Sequence, residues 1–146
     1  MTKPDPNAIK LLLAELRSTN KETRRTAVMK LGMLGGEEAV RALMMAVQNE
    51  HEDLIVRGRA ALMLGRLGDV RAVEPLIRAL EAPGYQTPLH AAEALGRLGD
   101  PRAVEPLLRM AANTRGKTRL AAEQALARLG YSPEAATAQL EPEPES

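Results

Sequence analysis

Apolar residues recur along this chain at helical spacing, and the pattern itself repeats. Ala60, Ala61, Leu64 and Leu67 fall three or four apart, one face of an α-helix. After a break at Gly68, Val73, Leu76, Ile77 and Leu80 form a second stripe of the same kind. The segment Leu31-Gly32-Met33-Leu34-Gly35 returns as Leu64-Gly65-Arg66-Leu67-Gly68, as Leu95-Gly96-Arg97-Leu98-Gly99 and as Leu126-Ala127-Arg128-Leu129-Gly130. The steps between the final glycines are 33, 31 and 31 residues. Four residues after each of the first three glycines a second block begins: Ala39-Val40-Arg41-Ala42-Leu43, Ala72-Val73-Glu74-Pro75-Leu76 and Ala103-Val104-Glu105-Pro106-Leu107. Ala8-Ile9-Lys10-Leu11-Leu12 is an N-terminal copy of this block. A fixed period of this length marks supersecondary units that bury their apolar faces by stacking on one another.

Each unit reads as two helices, A and B. The A helix stops at its turn glycine, which takes a left-handed conformation at little cost. The earlier glycine (Gly32, Gly65, Gly96) lies inside the helix, where it costs roughly 1 kcal/mol against alanine. Its recurrence predicts close backbone approach, and Ala127 in the same column is the next smallest choice. Asp100-Pro101 and Asp5-Pro6 each place an N-cap residue before proline at N1. Pro75 and Pro106 remove an N–H near the start of their helices and predict a kink or a tightened first turn. The spacing predicts helices over 6–17, 21–34, 37–49, 53–67, 70–82, 87–98, 101–113, 116–129 and 133–140. The fold class is all-α, a right-handed solenoid of about four helical hairpins. Residues 1–140 form one domain, and 141–146 form a Glu/Pro tail expected to be disordered.

Composition agrees. The chain has 146 residues with no Phe, Trp or Cys, and its only aromatics are Tyr85 and Tyr131. Alanine and leucine favour helices, and strand-forming aromatics are almost missing. Without cysteine there is no disulfide framework or thiolate metal site. The N-terminus lacks an apolar signal region, and no apolar run approaches the ~18 residues that span a bilayer. A soluble, cytoplasmic protein is expected. Residues 1–140 hold 20 basic and 16 acidic side chains, a mild excess and not the polarity of a nucleic-acid binder.

The stretch from Val56-Arg57 to Leu76, and again from Leu89 to Leu107, resembles the HEAT-like repeats of the phycobilisome-lyase type. The resemblance covers about residues 5–135 and implies an α-α superhelix. It also implies a ladder in which an arginine column (Arg24, Arg57, Arg119) answers turn aspartates (Asp69, Asp100), with Asp100 facing Arg119. Pro88 replaces one arginine of the column and Gly36 one aspartate, so looser stacking is expected around residues 83–88.

The candidate site is the exposed ridge of the B helices, which lines the concave face in similar proteins. Positions 3, 6 and 10 after each turn glycine hold Glu38, Arg41 and Met45, then Arg71, Glu74 and Arg78, then Arg102, Glu105 and Arg109. The expected partner is another protein, and the bland alternative is a solvated surface with Glu74–Arg78 and Glu105–Arg109 helix pairs. The resemblance also raises enzymes. Deoxyhypusine hydroxylase binds two irons through His-Glu dipeptides, but here His90 is followed by Ala91, and His51-Glu52 falls in an expected loop. Bilin lyases share the repeat, but this chain has no Cys, few aromatics and few repeats. A base-excising glycosylase would need aromatics and a basic groove. No catalytic, cofactor-binding or metal-binding residue is assigned. The expected function is a protein-binding scaffold and not an enzyme, with a subunit of a bilin-lyase-like complex as the alternative.

Overall fold

The computed structural model describes residues 3–131. They form eight α-helices: α1 (Pro6–Glu15), α2 (Lys21–Leu34), α3 (Glu37–Gln48), α4 (Leu54–Leu67), α5 (Val73–Ala79), α6 (Gln86–Leu98), α7 (Val104–Asn113) and α8 (Gly116–Arg128). Short 3-10 turns, Val70–Ala72 and Pro101–Ala103, lead into α5 and α7. No strand occurs among the described residues. The expected helix at 133–140 and the Glu/Pro tail lie outside them.

The chain is an all-α solenoid. Helices α2, α4, α6 and α8 are the A type and pack in sequence, α2 on α4, α4 on α6 and α6 on α8. Helices α1, α3, α5 and α7 are the B type. The core is small and aliphatic, with one leucine per layer fully enclosed on the A side (Leu31, Leu64, Leu95, Leu126) and one on the B side (Leu43, Leu76, Leu107). Among the described residues no helix is long and apolar enough to cross a membrane.

The mid-helix glycines are the points of closest approach. A Cβ on Gly65 would lie 2.7 Å from Ala94 Cβ and 2.8 Å from its Cα, and one on Gly96 would lie 2.9 Å from Ala125 Cα. At Gly32 it would collide with the Met63 side chain. Ala127, in the same column, is exposed on α8, the last described helix. Gly68 and Gly99 close α4 and α6 in the left-handed conformation.

The two prolines tighten their helices as the sequence predicts. A 3-10 turn precedes each, and α5 and α7 begin at Val73 and Val104, so Pro75 and Pro106 fall in the first α-turn. There the missing N–H would have had no intrahelical partner. Asp5, Asp69 and Asp100 accept from the backbone N–H two residues on, and Asp53 accepts from both Ile55 and Val56.

The arginine ladder takes a different form from the one the resemblance implies. Asp100 binds Arg102 (2.9 Å), and Arg119 binds Glu123 (2.7 Å). Asp69 likewise binds Arg71. A turn aspartate two residues before an arginine is satisfied locally, so nothing draws it to the next repeat. The other two column arginines, Arg24 and Arg57, instead serve carbonyls at the end of the preceding B helix. Buried Arg57 donates from Nε to Val47 O (3.2 Å), in the last turn of α3, and Arg24 donates to Ser18 O (2.9 Å) after α1. These carbonyls lack helical partners, and a guanidinium supplies one. Pro88 occupies the third place, yet packing there is not loose. Pro88 and Thr87 are both buried, and Thr87 Oγ1 donates to Leu54 O (3.4 Å).

Candidate protein-docking ridge

All nine ridge residues are exposed. Helix α3 carries Glu38, Arg41 and Met45; α5 carries Glu74 and Arg78; α7 carries Glu105 and Arg109. Arg71 and Arg102 stand in the 3-10 turns. Stacking therefore brings the nine residues onto the B-helix side of consecutive layers.

Four of these charges, on Arg41, Arg71, Glu74 and Arg102, are already paired. Arg71 forms two bonds to Glu37 (2.7 and 2.6 Å) and is held from behind by Asp69. Arg41 reaches Glu37 from the same helix (3.1 Å). Glu37 thus faces two guanidinium groups, and its carboxyl is pulled down to about 2, chiefly by the Arg71 hydrogen bonds. Arg102 repeats the arrangement one layer on, bound by Asp100 and reaching Glu74 at 3.4 Å. The expected Glu74–Arg78 and Glu105–Arg109 pairs do not form. Glu74 is taken by Arg102 of the following repeat, and Arg78 donates to Gln48 of the preceding one (3.0 Å). Pairing runs across the layers because the repeat places these side chains alongside each other. Solvent screens such exposed pairs, so they set side-chain positions more than stability.

The sequence does not single out Glu37 and Gln48, which pair with or tether the ridge arginines, and it gives Asp69 a different partner. The signal for the first two is register: Glu37 lies four residues before Arg41 and Gln48 three after Met45. Nor does it single out a groove of about 320 Å³ between α5 and α7, lined by Ile77, Pro106 and Met110 and flanked by Arg78, Arg109 and Glu81. Among the described residues Arg109 forms no ion pair. Met45 is 72% exposed. What the ridge offers a partner is thus Met45, the Arg78–Arg109 groove, and the carboxylates Glu38 and Glu105.

The histidines sit in structural surroundings. His51 is exposed in the turn before α4, while its neighbour Glu52 receives Arg24 Nε on both oxygens (3.0 and 3.1 Å). His90 Nδ1 lies 3.5 Å from Glu93 Oε2. Among the described residues no three His, Asp or Glu side chains converge as a metal site.

A solenoid of helical hairpins with this glycine register defines a class of repeat scaffolds. The chain belongs to the HEAT-repeat family, whose model matches residues 9–87, 50–127 and 74–141. It is 40% identical over 63 residues to the phycocyanobilin lyase subunit alpha of Picosynechococcus sp. (strain ATCC 27264 / PCC 7002 / PR-6), a match covering 40% of this chain and 24% of that protein. In three dimensions it is similar to a chain in the complex of CpcE and CpcF of phycocyanin lyase from Nostoc sp. PCC7120. The TM-score is 0.72 and the identity 29%, over 84% of this chain and 53% of that one. Human deoxyhypusine hydroxylase, in complex with glycerol, has the same fold at TM-score 0.72 and 23% identity, over 85% of this chain and 44% of that one. The chain spans about a quarter of the curated relative and about half of the first structural neighbour.

The chain thus has the HEAT-repeat fold and is related to phycocyanobilin lyase subunits. The expectation that it has no enzymatic role is overturned by these two lyase relatives. The lack of Cys and the scarcity of aromatics bear only on what this one chain could supply, and the phycocyanin lyase of Nostoc sp. PCC7120 is a complex of CpcE and CpcF.

Proposed function

We propose that this chain is a HEAT-repeat subunit of a bilin-lyase-like assembly and that its B-helix ridge, as the concave face, docks a protein partner. The observation that carries the reading is the 40% identity to a phycocyanobilin lyase subunit. The likeness to a chain of a two-component phycocyanin lyase complex supports it. With no cysteine in its sequence, the chain offers no thiol of its own to a bilin. Its part is to hold a second subunit or the acceptor protein. The groove between α5 and α7 suits an apolar side chain flanked by a carboxylate, seated on Ile77, Pro106 and Met110 between Arg78 and Arg109.

The test is co-expression with a second phycocyanobilin lyase subunit, followed by co-purification and titration with phycocyanobilin read by absorbance. The complex should form and bind bilin stoichiometrically. Arg78→Glu with Arg109→Glu should weaken co-purification while leaving helicity unchanged. A chain that neither captures the subunit nor perturbs the bilin spectrum, alone or with it, refutes the lyase reading. Unchanged capture by the doubly reversed protein refutes the site.

A further inference from the structure

The arginines of the Leu-Gly-Arg-Leu-Gly motif lie on the other face of the solenoid. Arg66, Arg97 and Arg128 stand in the last turns of α4, α6 and α8, each two residues before its turn glycine. All three are exposed. Among the described residues none of them hydrogen-bonds or pairs with a carboxylate, unlike Arg71 and Arg102 on the ridge. Arg97 and Arg128 line one groove of about 290 Å³ between α6 and α8. The Arg128 stem is seated against the close-packed glycine column: a Cβ on Gly96 would lie 3.3 Å from its Cδ. Glu93 lines the same groove, but it faces His90. On α2 the same column holds Met33, 75% exposed.

A cation in the last turn complements a helix dipole, which accounts for each arginine singly. It does not account for three guanidiniums in one column, unpaired among the described residues, beside an exposed methionine. We infer that this column is a docking surface for an acidic α-helix of a partner protein, laid across α4, α6 and α8. The spacing selects the helix. Packed helices lie about 8–10 Å apart, so successive arginines recur at that interval. An α-helix returns to nearly the same face every seven residues, or about 10.5 Å. A strand returns every two residues, about 6.7 Å, or every four, about 13 Å, and misses on both sides. The partner helix therefore carries Asp or Glu at i, i+7 and i+14, with an apolar residue one heptad further to meet Met33. This surface is separate from the ridge and does not depend on the lyase reading.

The test is fluorescence anisotropy with three labelled peptides. The first is a helix-forming peptide with glutamates at heptad spacing and a leucine at the next step. The second has the same composition with the glutamates moved off register. The third is a Glu-Pro-Pro repeat. The chain should bind the heptad peptide about tenfold more tightly than the shuffled one, as three exposed charge pairs allow. Arg66→Gln, Arg97→Gln and Arg128→Gln together should abolish that preference, and the three corresponding lysine substitutions should retain most of it. Should the triple glutamine variant lose helicity, Arg97→Gln alone is read instead, with a loss of about twofold expected. Equal affinity for the heptad and shuffled peptides, an unchanged preference in the glutamine variant, or tighter binding of the Glu-Pro-Pro repeat would each overturn the proposal.

Discussion

Helix α4 contains two buried glycines, Gly58 and Gly65, that separate helix propensity from packing. Alanine in either place gains about 1 kcal/mol of helix propensity. What differs is the neighbour. A Cβ on Gly58 would lie 3.3 Å from Gln86 Cβ, slightly tight, and 3.5 Å from both the Gln86 carbonyl carbon and His90 Cδ2, which is ordinary contact, so a shift of a few tenths of an ångström at the start of α6 is enough. A Cβ on Gly65 would lie 2.8 Å from Ala94 Cα, which is backbone. Carbon atoms rest at about 3.5–4.0 Å, so α4 and α6 would have to part by about 1 Å. Overpacking of this kind costs about 1–3 kcal/mol. Gly65→Ala should therefore destabilise by about 1 kcal/mol net, and Gly58→Ala should be neutral or stabilise by up to about 1 kcal/mol. The difference is the packing cost alone. Thermal and urea denaturation followed by circular dichroism measure it, and for a chain this size 1 kcal/mol corresponds to about 4 °C in Tm. If Gly65→Ala proved as stable as Gly58→Ala, close approach could not be the reason for the recurring glycine.

Other consequences follow from the same contacts. Arg57→Leu leaves Val47 O without its donor in a buried place and should cost about 1–3 kcal/mol, read by urea titration. Asp53→Ala removes both the N-cap of α4 and the partner of Arg25 (2.8 Å), and should cost about 1–2 kcal/mol. The Arg25 hydrogen bonds hold the Asp53 carboxyl down at about 2, below the ordinary carboxylate range. A depressed carboxylate stabilises the fold above its unfolded-state pKa near 4, and the contribution is lost as pH falls towards about 2. The stability advantage of the wild type over Arg25→Gln should thus be full at pH 5 and fall steadily as the pH drops to 2, in a Tm series. A gap that stayed constant over that range would refute the assignment.

The helices and their order were legible in the sequence because they rest on local chemistry. The turn glycines Gly68 and Gly99, the caps at Asp5 and Asp100, and Pro75 and Pro106 each act within one or two turns of backbone. Spacing alone therefore places them. Gly65 and Gly96 reported a distant contact only because their cost inside a helix demanded a reason. Side-chain partners were another matter. Which carboxylate an exposed arginine meets depends on two helices about 30 residues apart in sequence that stacking sets side by side. Arg102 bridges Asp100 of its own turn and Glu74 of the preceding layer, and Arg119 turns to its own helix, on differences of a few ångströms that no periodicity encodes. The same holds for the sites. The sequence marked the B-helix ridge as exposed. Only the tertiary structure decided that Arg41, Arg71, Glu74 and Arg102 are already paired, that a groove opens between Arg78 and Arg109, and that, among the described residues, an unpaired column lies on the A helices at Arg66, Arg97 and Arg128. Propensity and capping act within a helix and can be read along the chain, whereas charge compensation acts between layers and exists only once they are stacked.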